Sequence, residues 1–504
     1  MPSSLSFSAI LAHAARAHPE RPALIHGDRR ITHAVFNKRV NRLANGLLGA
    51  GLAPGDTVAA SMPACVEMLE IYWGAAKAGL TLIPMNAMLQ APEIAGIFQL
   101  AGVRCALASR ELLERLPPSC TRLDLVIDPG GYPDSYEALL SDASEAEPDL
   151  QIDPESACTI MFSSGTTSRP KGIVNSHRAR AAACHIYAVE FGLTFESRTL
   201  LATPLYHNSA LIMALPTLAV GGCVVLEDKF DPASAARAWH AHAVTHALLV
   251  PTQLRRMLSD SRIQTPLPDS TQCLVTVGEP LPETVRTETL RRLTPNLYTM
   301  YGISEGLATV LRPERQVCHP GSVGTPVLYT DIRIVDETGA ALPTGAIGEI
   351  IGRSARMMSG YFCDQPATDA ALVDEWLHTG DLGRLDADGL LYVVGRKKEM
   401  IISGGVNIYP VDIEMTIAGH PDVQEAAVVG VPDERWGEIV KLVAVPRPGS
   451  DLTPQALDEW CRSNLPGYQR PKAIEFRTQL PRNATGKVIK PLLTGADPAL
   501  PLSR

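Results

Sequence analysis

The sequence predicts an α/β protein: a large N-terminal body built on mainly parallel sheets, followed by a small α+β C-terminal lid. Three observations predict it. From residue 20 to about 395, helix-period segments such as 34–49 and 66–77 alternate with short apolar runs at 57–61, 80–84, 105–108, 125–127, 224–226, 247–250 and 274–277. Strands separated by helices need crossover connections, and these make parallel, buried sheet. At 504 residues the chain exceeds one ordinary core. Near residue 395 the texture changes, with Gly395-Arg396-Lys397-Lys398-Glu399 forming a polar joint ahead of the pair Gly404-Gly405.

The individual elements follow the same logic. The most apolar stretch, 210–226, contains Pro216 and Gly221-Gly222 and is too short to span a bilayer, so it reads as buried core. Residues 129–155, acidic and rich in Pro, Gly and Ser, read as a surface connection. Beyond the joint, a helix at 411–418 and strands at 425–431 and 439–445 precede a second helix, opened by Thr453 as cap and Pro454 in its first turn. A strand at 473–476 completes the lid. The expected domains are therefore 1–397 and 398–504.

Composition narrows the function classes. The chain is 45% apolar and 20% charged, typical of a globular protein. Its net charge of −9, without a long basic run, argues against a nucleic-acid surface and a polybasic membrane anchor, and no integral membrane segment is expected. Residues 5–17 are partly apolar but lack a basic leader, so no secretory signal is expected. The ten cysteines form no C-x-x-C or zinc spacing and read as small core hydrophobes of a reducing compartment, with the cytoplasm as the expected location.

The strongest local signal is Ser163-Ser164-Gly165-Thr166-Thr167-Ser168-Arg169-Pro170-Lys171-Gly172. Backbone N–H groups, hydroxyls and a lysine are what a polyphosphate needs. The Gly-to-Lys spacing is not that of a Walker A loop, and no Ser or Thr follows the lysine. The plain alternative is a Ser/Thr/Gly surface loop. A different chemistry is offered by Gly302-Ile303-Ser304-Glu305-Gly306, which fits the G-x-S-x-G elbow of α/β-hydrolases, with Asp381 and His420 or His319 downstream. No His-Gly-Gly-Gly oxyanion segment lies upstream of it.

Taken together and in order, these segments resemble the adenylate-forming superfamily of acyl-CoA synthetases, firefly luciferase and peptide-synthetase adenylation domains, over about residues 7–490. The resemblance implies ATP, Mg²⁺ and coenzyme A as ligands and a small carboxylic acid as substrate, in fatty or aromatic acid metabolism. It assigns Ser163, Ser164, Gly165, Thr166, Thr167 and Lys171 to the phosphates; the family usually has Gly where Ser168 stands. In Tyr301-Gly302-Ile303-Ser304-Glu305 the ring would stack on adenine, Ser304 would meet the α-phosphate and Glu305 would hold Mg²⁺. Gly278-Glu279-Pro280 resembles the turn lining the adenine pocket. Asp381, in His378-Thr379-Gly380-Asp381, would accept the ribose hydroxyls, with Arg396 approaching the same sugar. Lys398 stands where the family places the hinge of a mobile lid.

Asn483-Ala484-Thr485-Gly486-Lys487 looks like the catalytic lysine loop: adenylation joins two anions, and Lys487 would neutralise both. Gly404 and Gly405, Trp436 and Arg470 are implied at the coenzyme A site; the family often has Glu where Val406 stands, and Trp436 is equally read as a partly buried tryptophan. Pro204-Leu205-Tyr206-His207-Asn208 resembles the element beside the carboxylate pocket, with His207 as gate and Asn208 and Ile303 facing the acyl group. An acyl-AMP ligase loading a carrier-protein thiol stays as the nearest alternative. The sequence leaves the acid and the oligomeric state open, a homodimer included.

Overall fold

The computed structural model describes residues 6–108, 125–127, 135–163, 171–482 and 488–495. Among these residues four sheets form. In the nine-stranded sheet, Leu297–Gly302, Cys273–Val277, His246–Leu248, Arg198–Leu201, Cys223–Leu226 and Pro22–His26 lie side by side and parallel. Antiparallel strands close both edges, Ala308–Leu311 and Thr325–Pro326 on one side and Arg29–Thr32 on the other. In the seven-stranded sheet, Ala157–Ser163, Thr81–Pro84, Thr57–Ser61, Cys105–Ala108 and Leu125–Ile127 are parallel neighbours, and Lys171–Ser176 and Gly360–Tyr361 add antiparallel strands.

The crossover pattern therefore holds at the centre of both wide sheets. Helices His33–Gly49, Val66–Lys77 and Asn208–Ala219 share one core with residues of the two sheets, including Leu24 and Val224 of the first and Val58 and Leu82 of the second. Val66–Lys77 is buried on nearly every face, as a helix between two sheets must be. Trp73 on it stacks on Phe7 at 3.9 Å.

From Ala308 onward the crossover expectation fails. The third sheet, Thr330–Val335, Gly348–Ser354, Trp376–Leu385 and Leu372–Val373 with Leu391–Arg396 added, is entirely antiparallel. The reason is legible in Asp336-Glu337-Thr338-Gly339 and Asp386-Ala387-Asp388-Gly389, tight turns with Gly339 and Gly389 at φ +84 and +75. Such turns return the chain on itself without a helix. The connection at 129–155 also differs from expectation. Helix Ser135–Ser141 lies within it, Tyr136 and Leu140 are buried, and the Tyr136 hydroxyl donates to Glu70 at 2.7 Å. The cysteines split: Cys105, Cys158, Cys184, Cys223, Cys273 and Cys461 are buried, whereas Cys318 and Cys363 are exposed.

The fourth sheet follows the joint. Ile401–Ser403 and Val406–Ile408 form a hairpin beside Gly437–Pro446, which pairs with Val423–Asp433 antiparallel and with Ala473–Phe476 parallel. Helices Pro410–Ile417 and Pro454–Asn464 share its core through Ile413, Ile417, Leu457 and Cys461. The Thr453 hydroxyl accepts from Ala456 N–H, the expected cap. Among the described residues no helix is long and apolar enough to cross a membrane.

One seam joins the first sheet to the third. Gly324 bridges Leu391, at φ +85, and a Cβ placed on it would lie 2.0 Å from the Val310 carbonyl. Gly324→Ala is expected to destabilise the protein by about 3 kcal/mol or more. Thermal and urea unfolding of the purified variant would check this, and a midpoint unchanged from the parent would refute it.

Candidate active site

Open α/β sheets bind ligands beyond the carboxyl ends of their strands. Here those ends face the third sheet. Strand Cys273–Val277 runs out at Gly278, whose φ of +100 turns the chain, and Glu279 and Pro280 beyond it are exposed. Next to it, Leu297–Gly302 ends at Tyr301-Gly302 and passes through a short turn into Ala308–Leu311.

The Tyr301 hydroxyl donates to Asp381 Oδ2 at 2.7 Å. Burial, and then the charge of Asp381, raises the Tyr301 phenol well above its ordinary value, so it remains a donor. Asp381 stands opposite Arg396 in the third sheet, and the Arg396 Nε lies 3.5 Å from Asp381 Oδ1. Ile303, Glu305, Thr379, Gly380, Asp381, Arg396, Lys397 and Lys398 line one open cleft of about 470 Å³. The structure thus brings together the residues expected at adenine, ribose, metal and hinge.

Ser163 pairs with Lys171 across two antiparallel strands. Ser164, Gly165, Thr166, Thr167 and Ser168 lie outside the described residues, as does Lys487 with its loop. Lys171 Nζ sits 4.7 Å above the Tyr361 ring, and the Tyr361 hydroxyl donates to Glu305 Oε1 at 3.0 Å. Burial and the neighbouring Glu305 hold the Tyr361 phenol raised and protonated. Tyr361 therefore ties Lys171, expected at the phosphates, to Glu305, the expected metal ligand, a link with no sequence signal beyond a Gly-Tyr pair. Among the described residues no three His, Cys, Asp or Glu side chains cluster as a metal cage. A lone Glu305 fits Mg²⁺, which takes few protein carboxylates and completes its shell with phosphate oxygens and water.

Glu349 was also missed. It accepts from Gly380 N–H at 3.2 Å, lies 3.5 Å from His378 Nδ1 and 3.4 Å from Lys397 Nζ. On the far side of the joint, Lys490 holds Glu399 at 3.1 Å and Glu414 at 2.8 Å. Lys398 lies between these two anchorages, its ammonium shifted down by burial and then by Arg396.

His207 caps the N-terminus of helix Asn208–Ala219 without a side-chain cap bond, and burial lowers its pKa, leaving a neutral imidazole 4.4 Å from the Tyr206 ring. The glycines at 404 and 405 turn the lid hairpin at φ +59 and +81. Gly404 N–H donates to the Trp436 carbonyl at 2.8 Å, and a Cβ on Gly404 would meet the indole at 2.7 Å. Trp436 is exposed beside this hairpin, with Arg435 stacked on it. Arg470 donates to the carbonyls of Leu465 and Arg462, capping the end of helix Pro454–Asn464.

The hydrolase alternative does not survive the geometry. Ser304 lies in a turn between two antiparallel strands, whereas a nucleophile elbow needs a strand, a turn and a helix. Asp381 is engaged by Tyr301 and Arg396, the His420 ring accepts from Asp422 N–H, and His319 lies by Asp386.

Comparison with known proteins adds independent findings. A family model described as AMP-binding enzyme matches residues 11–362, and one described as AMP-binding enzyme C-terminal domain matches residues 412–487. The chain is 36% identical over 479 residues to a feruloyl-CoA synthase of Amycolatopsis sp, covering 94% of this chain and 96% of that protein. Among solved structures, ATP-bound MatB from Rhodopseudomonas palustris superposes with a TM-score of 0.90 at 28% identity, covering 97% of this chain and 98% of that one. The o-succinylbenzoate CoA synthetase MenE from Bacillus subtilis, in complex with its acyl-adenylate intermediate, gives 0.88 at 28% identity over 97% and 98%.

Removing the Tyr301 hydroxyl deletes its hydrogen bond to Asp381. Tyr301→Phe is expected to weaken AMP binding about tenfold, the worth of one hydrogen bond to a carboxylate. Calorimetric titration with AMP would measure it; an unchanged Kd would separate that bond from nucleotide binding.

Proposed function

The chain belongs to the AMP-binding enzyme family, and on that premise we propose that it is an AMP-forming carboxylate–CoA ligase using MgATP. The observation that carries the site assignment is the single cleft that gathers Glu305, Asp381, Arg396 and Lys398 beside Tyr301.

In the first half-reaction, the substrate carboxylate attacks the α-phosphorus of ATP in line, pyrophosphate leaves, and acyl-AMP forms. The nucleophile is already an anion, so positioning supplies most of the acceleration. The Tyr301 ring lies under adenine, Asp381 accepts the ribose hydroxyls and Arg396 supports it. Ser304 meets the α-phosphate, and Lys171 with the 163–167 loop holds the phosphates being released. Bound at Glu305, Mg²⁺ would supply charge neutralisation to the phosphates. Lys487 spans the carboxylate oxygen and the α-phosphate while the lid is closed.

In the second half-reaction, the lid turns about Lys398 and carries Lys487 away. The 403–409 hairpin and Trp436 then bring the coenzyme A thiol to the acyl carbon; the C–S bond forms and AMP leaves. The tight packing of Gly404 against Trp436 supports a narrow passage for pantetheine. Lys397 is held by Glu349 of the third sheet and Glu399 by Lys490 of the lid, which supports Lys398 as the point of rotation and 397/398 as the domain boundary. The cytoplasm suits these co-substrates.

Carboxylate-dependent ATP–pyrophosphate exchange over a panel of acids, repeated with coenzyme A while following AMP and thioester, tests the reading. Exchange with thioester formation is expected. Exchange without thioester would redirect the second step to a carrier-protein thiol, and no exchange with any acid would overturn the assignment. Lys487→Ala is expected to lower adenylation at least about 100-fold while sparing thioester formation from supplied acyl-AMP. Lys398→Pro should do the reverse, since it fixes the joint; equal losses in both half-reactions would contradict a turning lid.

A further inference from the structure

A second cavity, linked to the nucleotide cleft through the Leu307 carbonyl, is charged in an unexpected way. Arg180, Tyr187, Asn208, Leu211, Leu215 and Arg356 are among its lining residues, and it is a small, partly open cavity of about 20 Å³, room for a compact polar group. Arg180 and Arg356 are buried, at 5% and 6% exposure. Arg180 donates from Nε to Thr159 Oγ1 at 2.9 Å and from Nη1 to Asn208 Oδ1 at 2.8 Å; Arg356 donates from Nη2 to the Leu307 carbonyl at 2.7 Å. Three donors stay unmatched among the described residues: Arg180 Nη2, Arg356 Nε and the Tyr187 hydroxyl.

Among the described residues no carboxylate pairs with either guanidinium. The ionisable groups acting on Arg180 are Cys158, Tyr72, Cys184 and Arg356, and burial pulls its guanidinium below the ordinary value. An uncompensated buried cation is among the most unfavourable arrangements in a protein, and two guanidinium groups on one cavity compound it. Other buried or half-buried arginines of the body, such as Arg39 on Glu70 and Arg286 on Glu283, are paired with an acid. Here the acid is missing, and a planar fork of donors matches a carboxylate better than any neutral acceptor.

The cavity is placed to receive the far end of the substrate. The Leu307 carbonyl that takes the Arg356 bond also accepts from Ile303 N–H at 3.1 Å, and Ile303 lines the nucleotide cleft. Asn208, bonded to Arg180, directly follows His207. Leu211 and Leu215 on the same helix offer an apolar wall for the carbons between.

Resting on the ligase reading above, we propose that Arg180 and Arg356 bind a second anionic group, so that the acid this enzyme activates carries a carboxylate at the end remote from the one joined to AMP. The sequence signal is a helical stripe, Arg180, Cys184 and Tyr187, in which an arginine holds an otherwise apolar position of helix His177–Glu190.

The test measures kcat/KM for coenzyme A-dependent AMP release with matched acids. These are the linear dicarboxylates from malonate to suberate against monocarboxylates of equal length, 3-(2-carboxyphenyl)propionate against 3-phenylpropionate, and ferulate as a phenolic acid. A diacid is expected to exceed its neutral partner by at least about 30-fold, and Arg180→Met to collapse that ratio, chiefly through KM. Arg180→Lys should keep part of the preference, and Arg356→Gln, which leaves Arg180 in place, gives a second variant if Arg180→Met does not fold. Preference for a neutral or phenolic acid, with the ratio unmoved in folded Arg180→Met or Arg356→Gln, would overturn the proposal and leave the arginines as braces. Turnover of monocarboxylates alone would sink this inference but not the ligase reading; no turnover with any acid would sink both.

Discussion

The site depends on one carboxylate held between two sheets. Asp381 belongs to the third sheet, yet its partner Tyr301 ends a strand of the first. Asp381 is buried, with Tyr301 donating to one of its oxygens and Arg396 facing the other. That arrangement fixes the third sheet against the carboxyl ends of the first, and the Gly324–Leu391 bridge holds the same seam by backbone contact. The cleft is therefore a consequence of how two sheets are joined, and the nucleotide-binding groups inherit their spacing from that junction.

The joint to the lid is built by the opposite rule. Among the described residues, each hydrophobic cluster lies wholly before Lys398 or wholly after it. Polar pairs serve the joint instead: Lys397 with Glu349 on the body, and Lys490 with Glu399 and Glu414 on the lid. The distribution isolates one residue, Lys398, whose neighbours are each tied to a different unit.

The stations of the site were legible in the sequence because each is a short run whose chemistry is concentrated in consecutive residues. Tyr301 and Glu305 sit four apart on one strand and turn, and Asp381 and Arg396 meet because adjacent strands place them in register. Strands such as 57–61 and 105–108 and the helix at 66–77 were legible because unbroken apolar runs and helical period leave little choice. The antiparallel third sheet was not, because its strands carry mixed burial and its Asp-x-x-Gly turns were outweighed by the alternation before them. Tyr361, Glu349, Arg180 and Arg356 escaped for a different reason: each matters through a partner more than twenty residues away, and a single sequence does not display such pairings.

A two-step ligase must hold its lid firmly enough to exclude water and loosely enough to exchange one arrangement for another. An apolar interface would favour one position by the area it buries, about 25 cal/mol for each Å². Ion pairs with partly exposed partners contribute about 0–1 kcal/mol each and can be remade with new partners after a rotation. With Lys397 about half exposed and Glu349 well covered, the body side of the joint presents a fixed anion to a movable cation. On the function proposed, the firm seam at Gly324 and Asp381 and the soft joint at Lys398 are two halves of one requirement: the nucleotide stays in register with the sheets while the groups that act on it are replaced.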